Sequence, residues 1–218
     1  MSMITYEQFI QSIEKNKILP FSGFIPDYPS LTELAAHNDW HTDSDTDPWQ
    51  WRVKVVYDGI AAYGKFFNDK VCFIHKDLFP VIRTILSSNK TALERYKDGL
   101  LSRTAYHLYH VLSEYSNMDS RNLRKIAGLH NKEDKKEYEK ALVELQNFGD
   151  IVITGAVKQN SNEKGWSSMC YQPADMWMAT HDLASSYITV EDAKQELEVE
   201  LLQYCSEKST KFFDKKLR

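Results

Sequence analysis

The stretch from Ser120 to Tyr171 constrains this chain more than any other, because several local signals follow one another there in a fixed order. Ser120 is placed to cap a short helix whose apolar residues Leu123, Ile126 and Ala127 lie three and four apart, and Gly128 is placed to end it. Asp134 is placed to cap a longer helix with Tyr138, Ala141, Leu142 and Leu145 on one face and Lys135, Lys136, Glu139 and Lys140 largely on the other. Gly149 stops that helix, Ile151 to Thr154 is a β-branched run, Gln159 to Gly165 is a turn-rich tip, and Trp166 to Tyr171 returns. Upstream, Thr104 to Tyr115 carries Ala105, Leu108, Tyr109, Leu112 and Tyr115 at helical spacing. Three helices and a hairpin in this order predict a winged helix-turn-helix, with the helix after Asp134 as its recognition helix and the hairpin as its wing.

The bases of this stretch are concentrated where such a unit would meet a polyanion. From Ser120 to Lys140, Arg121, Arg124, Lys125, Lys132, Lys135, Lys136 and Lys140 outnumber Glu133, Asp134, Glu137 and Glu139. Lys158 and Lys164 add charge on the expected wing. The formal net charge of −4 counts against a protein that coats nucleic acid over its whole surface, but a local basic face is compatible with it. The expected nucleic-acid contacts are therefore Arg121, Arg124, Lys125, Lys135, Lys136, Lys140, Lys158 and Lys164, and the expected partner is double-stranded DNA.

The chain before this unit is mixed. Thr5 and Gln8 form a capping box ahead of Tyr6, Phe9, Ile10 and Ile13, which predicts an opening helix. Leu19 to Ser30, with Pro20, Gly23, Pro26 and Pro29 among aromatics, predicts a packed irregular loop. Ala61 to Phe67 and Val71 to His75 flank a tight turn and predict a β-hairpin, and Lys76 to Leu86 predicts a helix with Leu78, Phe79, Ile82 and Ile85 inward. Thr91 caps a helix expected to run to Leu101. Tyr171 to Tyr187 reads as irregular, with Pro173 as a breaker, and Thr189 starts a long helix through Tyr204 that ends in a basic tail from Lys208. The class expected is α+β, mostly helical: residues 1–101 as a helical region with a hairpin, 102–172 as the winged unit, and 173–218 as a helical extension.

Residues 37–51, HNDWHTDSDTDPWQW, have the most unusual composition in the chain. Asp47 before Pro48 is a strong helix start, since the carboxylate accepts orphan amides while proline takes the first helical position. Asp43, Asp45 and Asp47 have the spacing of a calcium loop, but Pro48 stands where that loop needs glycine and Lys54 where it needs glutamate. His37, Asp39 and His41 offer transition-metal donors, but two histidines four apart on a helix are more often solvated or hydrogen-bonded than ligating. No metal and no cofactor is expected. Cys72, Cys170 and Cys205 lie far apart and read as buried thiols of a reducing, cytoplasmic compartment. Neither a membrane span nor a signal sequence is recognisable.

Trp40-His41-Thr42, Asp47-Pro48-Trp49-Gln50-Trp51, Ala62-Tyr63-Gly64-Lys65, Ala141 to Gln146 and Ile153-Thr154-Gly155 together resemble the short bacterial proteins called AlkZ-related. These are similar to the AlkZ and YcaQ DNA glycosylases, which are built from winged helix-turn-helix units and excise alkylated or cross-linked bases. The resemblance implies DNA binding, with base excision as the chemistry and Asp45 and Asp47 as the catalytic pair. It also shows a departure: the glycosylases carry a glutamine, an intervening residue and then glutamine or aspartate, whereas this chain has Asp45-Thr46-Asp47 there. The alternative is a non-catalytic winged-helix module for regulation or protein association.

Overall fold

The computed structural model describes residues 4–42, 44–157, 168–183 and 189–217. Among these residues it is a mostly helical α+β structure with two three-stranded antiparallel sheets.

The first sheet belongs to the amino-terminal half. Helix α1 (Tyr6–Asn16) opens on the expected capping box, Thr5 and Gln8 each bonding the other's backbone amide. Strand β1 (Ile18–Pro20) follows, then the short helix α2 (Leu31–Leu34) and α3 (Pro48–Tyr57). Strands β2 (Ala61–Phe67) and β3 (Lys70–His75) form the expected hairpin, with β1 on the other side of β3. Pro20 is tolerated in β1 because that strand is an edge. Phe9 and Ile13 of α1 and Trp51 and Val55 of α3 are fully buried, and Phe9 lies 5.7 Å from Trp51 and 5.1 Å from Phe73 of β3.

Helices α4 (Phe79–Ser87) and α5 (Ala92–Lys97) lead to α6 (Arg103–Tyr115). Both earlier helices are shorter than their apolar patterns suggest. Phe79 and Pro80 are the first residues of α4, where proline's missing amide costs no bond, and α5 ends at Lys97, four residues before the expected Leu101. From α6 the order is strand β4 (Met118–Asp119), α7 (Ser120–Ile126), α8 (Lys135–Asn147), β5 (Ile151–Val157) and β6 (Ser168–Pro173). The second sheet runs β4-β6-β5. Leu108 and Leu112 of α6, Leu123 of α7, Leu145 of α8 and Val152 of β5 share one fully buried core.

Two caps differ from expectation. Asp119, not Ser120, caps α7: its carboxylate accepts the amides of Arg121 at 3.0 Å and Asn122 at 3.3 Å. Ser120 instead enters the helix and meets the Tyr138 hydroxyl at 3.0 Å, tying α7 to α8. Asp134 stands at the start of α8, but its carboxylate turns back to the Asn131 amide at 3.0 Å and caps no helical amide.

Residues after Pro173 are more regular than expected. Pro173 does not break structure but precedes helix α9 (Ala174–Thr180), since a fixed φ of −54° suits the residue before a helix. Helix α10 (Val190–Glu200) starts on Thr189, as expected, but stops at Glu200. A 3-10 turn at Leu202–Tyr204 and helix α11 (Glu207–Leu217) follow, so the basic segment from Lys208 is helical. Phe212 and Phe213 of α11 pack against Phe67 and, respectively, Phe24 and Tyr28. Of the cysteines, Cys72 is fully buried while Cys170 and Cys205 are only half-buried.

Candidate functional site

The acidic turn before α3 is held by its backbone as much as by its side chains. Asp47 is fully buried and caps α3, its carboxylate accepting the Trp49 amide at 2.9 Å and the His41 amide at 3.0 Å. Pro48 sits at the first helical position. Asp45 is exposed, and its backbone carbonyl accepts the indole N–H of Trp51 at 2.8 Å, so the turn is pinned to the core without using the Asp45 carboxylate. Hence one expected catalytic carboxylate faces solvent and the other is sealed beneath the turn; the two do not share one open site.

Arg52, which sequence reasoning passes over, links this turn to the second sheet. It is nearly fully buried, with its guanidinium carbon 3.7 Å from the Trp49 ring centroid. Nε donates to the Trp49 carbonyl at 2.8 Å, and Nη1 approaches the Met169 sulfur on β6 at 3.4 Å. Burial pulls the Arg52 pKa down, while the Tyr63 hydroxyl and Asp47 favour its charge. Burial likewise pushes the Tyr63 phenol up, to about 12, against the opposing pull of Arg52. A buried cation at this place is stabilised by a π face, a carboxylate and a phenol together.

Met169 neighbours Cys170, which pairs with Asp119, the cap of α7. Burial would raise the Asp119 pKa, but bonds from the Arg121 and Asn122 amides, the Asn122 side chain and the Ser168 hydroxyl outweigh it and hold the carboxyl low. A chain of contacts therefore runs from the acidic turn through Trp49, Arg52 and Met169 to the start of α7. All of these lie at the end of the second sheet where β5 stops and β6 begins.

The expected DNA-contacting bases fall into four groups. Arg121 and Lys125 on α7 and Lys136 and Lys140 on α8 are exposed, and none makes an ion pair among the described residues. Lys135 is exposed but lies 3.7 Å from Glu139 one turn on. Arg124 is half-buried and folds back on the link between the two helices, donating to the Leu129 carbonyl at 2.5 Å and to the Asn131 carbonyl. Lys158 and Lys164 lie outside the described residues, as does Asp43.

The other face of α8 is committed to packing. Glu144 accepts the Ser102 amide at 2.7 Å and the Ser102 hydroxyl at 2.6 Å, at the start of α6. Gln146 is buried, and its side-chain carbonyl accepts the Lys65 amide on β2 at 3.0 Å. Asn147 accepts the Asn68 amide at 2.6 Å in the hairpin turn. Of the residues that carry the resemblance in the sequence, Gln146 joins the two halves directly through Lys65 and Trp49 does so through Arg52, while Asp47 and Trp51 order the acidic turn and Glu144 ties α8 to α6. Among the described residues no three His, Cys, Asp or Glu side chains converge as metal ligands, and no helix is long and apolar enough to cross a membrane.

Fold and site together define a mostly helical α+β protein in which a buried acidic cap, a sandwiched arginine and the end of one long helix join two small sheets. The chain belongs to the AlkZ-related family: the model described as "AlkZ related" matches residues 3–218. No curated protein and no solved structure matches it.

Proposed function

We propose that this protein binds double-stranded DNA through a winged helix-turn-helix formed by α6 to β6, and that it hydrolyses the glycosidic bond of an alkylated base held beside the acidic turn. The observation that carries the binding reading is the set of exposed cations on α7 and α8, Arg121, Lys125, Lys136 and Lys140, left without acidic partners among the described residues. Unpaired cations on adjacent helices gain most from phosphates, because each contact releases condensed counterions. The element order and the β4-β6-β5 sheet support the winged-helix reading, with α8 as the recognition helix.

For the chemistry, family membership and the exposed Asp45 carboxylate are the support. A purine alkylated on its ring is positively charged, so the glycosidic bond breaks with its electron pair going to the departing base. Asp45 then orients the water that adds to the sugar carbon, and the water's proton passes to the carboxylate or to solvent. Asp47 serves this reading as the anchor of the turn, because it is fully buried and its Oδ1 already accepts two backbone amides.

The burial of Asp47 favours a second reading, a non-catalytic module that binds DNA or protein. Fluorescence anisotropy with a plain duplex and with the same duplex carrying 7-methylguanine, followed by cleavage at abasic sites, separates the two. A glycosylase retains both duplexes at low salt and yields strand breaks only from the second. Binding without product supports the module, and absence of binding to either duplex overturns the DNA reading.

A further inference from the structure

A cavity of about 700 Å³ lies between α4, α5, α6 and α9. It is at the far end of the second sheet from the acidic turn: Asp150 precedes β5 and Asp175 follows β6, whereas Met169, which Arg52 reaches from the turn, lies near the start of β6. A seven-residue strand puts about 20 Å between the two ends. Nothing in the proposed DNA chemistry uses this space, and its size falls within the range of about 300–1,000 Å³ typical of small-molecule sites.

Its walls are specific about charge. Arg83 and Lys90 line it, but both are already engaged. Arg83 forms a two-pronged pair with Asp175 at 2.5 and 2.9 Å and donates to the Gly149 carbonyl at 3.1 Å, and Lys90 pairs with Asp98 at 2.8 Å. Asp150 at the base is held by Arg95. Glu114, on the α6 wall, is exposed and makes no ion pair or hydrogen bond among the described residues. The unmet charge facing the cavity is therefore negative.

Part of the remaining wall is aromatic, among polar and aliphatic residues. Tyr106 and Tyr109 line it from α6, and Tyr106 is stacked at 4.7 Å and 5° on Tyr96, so a flat ring platform reaches the rim. Burial raises the Tyr109 phenol, and the charges of Asp175 and Asp150 add to that rise, which fits a hydroxyl set near the acidic base of the cavity. Aromatic faces favour cations and flat rings.

We infer that this cavity is a binding site for a small planar aromatic cation, stacked on Tyr106 and Tyr109 with its positive end toward Glu114. The site is independent of the DNA reading, and its test contains no DNA. The full-length protein is titrated calorimetrically with benzamidinium and, separately, with benzoate, which has a similar shape and the opposite charge. Benzamidinium is expected to bind at least about tenfold more tightly than benzoate, a difference of about 1.4 kcal/mol. Glu114→Gln, an exposed substitution, should remove most of that preference by weakening benzamidinium about tenfold. Ser113→Trp, which places a large side chain in the cavity, should abolish binding of both probes while circular dichroism shows an unchanged fold. Equal affinity for benzoate, undiminished binding by Glu114→Gln, or no binding of benzamidinium by the wild type overturns the inference.

Discussion

The side-chain carbonyl of Gln146 accepts the backbone amide of Lys65 at 3.0 Å, so the last turn of α8 closes the outer edge of the first sheet. An open strand edge invites pairing with other chains, and a buried amide without an acceptor is costly. Gln146→Ala should therefore lower stability by about 1–3 kcal/mol. Urea denaturation followed by tryptophan fluorescence measures this; an unchanged midpoint would show that the bond contributes nothing.

The two carboxylates of the acidic turn should respond differently. Asp47→Ala removes an acceptor from two amides in a fully buried position and should cost about 1–2 kcal/mol as a lost cap. Asp45→Asn leaves the carbonyl bond to Trp51 in place and should change stability by less than about 0.5 kcal/mol. If the excision reading holds, Asp45→Asn also abolishes release of 7-methylguanine at unchanged DNA affinity. A stability loss in Asp45→Asn would mean that its carboxylate is structural.

Lys136 and Lys140 lie one turn apart on α8 and are both exposed. Replacing both with alanine should weaken duplex binding for every sequence and lower the salt slope by about one for each phosphate that is no longer neutralised. Anisotropy titrations at several salt concentrations give that slope. An unchanged slope would remove both from the interface.

Arg95 and Asp150 form a buried pair, with Arg95 also donating to the Lys90 carbonyl and lying 4.6 Å from the Phe148 ring. Arg95→Met should cost about 3–5 kcal/mol, because it strands the Asp150 charge. The double variant Arg95→Met with Asp150→Leu should recover part of that loss. Both follow from denaturation midpoints, and an Arg95→Met protein as stable as wild type would refute the assignment.

His75 is buried beside Asp77, and burial lowers its pKa despite the opposing effect of the carboxylate. The folded state therefore takes up a proton less readily than the unfolded state. Stability is fully present above the ordinary histidine pKa and is lost as pH falls from there through the lowered folded value. His75→Gln should flatten that limb below the ordinary histidine pKa of about 6.5 in urea titrations. An identical slope in the variant would exclude His75 as its source.

Local elements are legible in the sequence where a chemical stop or start is present. Gly128 and Gly149 have φ of +72° and +67°, values that favour glycine, and they end α7 and α8 as their positions predict. The box at Thr5 and the caps at Thr189 and Asp47 are legible for the same reason. Helix α9 is hidden because Pro173 reads as an end where it serves as a beginning. Asp119 and Ser120 are both good caps, and contacts from distant residues, the Tyr138 hydroxyl on Ser120 and the Ser168 hydroxyl on Asp119, separate them. Arg52 reaches Met169 across 117 residues and Arg95 reaches Asp150 across 55, separations at which no spacing rule operates. The exposure of Lys136 and Lys140 follows from helical periodicity, but the inward turn of Arg124 depends on carbonyls in a link whose path no local rule predicts.

The aromatic pair Phe212 and Phe213 has a consequence for synthesis. Phe213 is fully buried against Tyr28 and Phe67, so the amino-terminal layer waits for α11 to supply part of its interior. While the chain is still threaded through the ribosome, Phe24, Tyr28 and Phe67 lack these partners even though the residues around them have long since emerged. That interval is a window for chaperone capture and for misassociation between nascent chains, and it closes only when Phe213 leaves the exit tunnel.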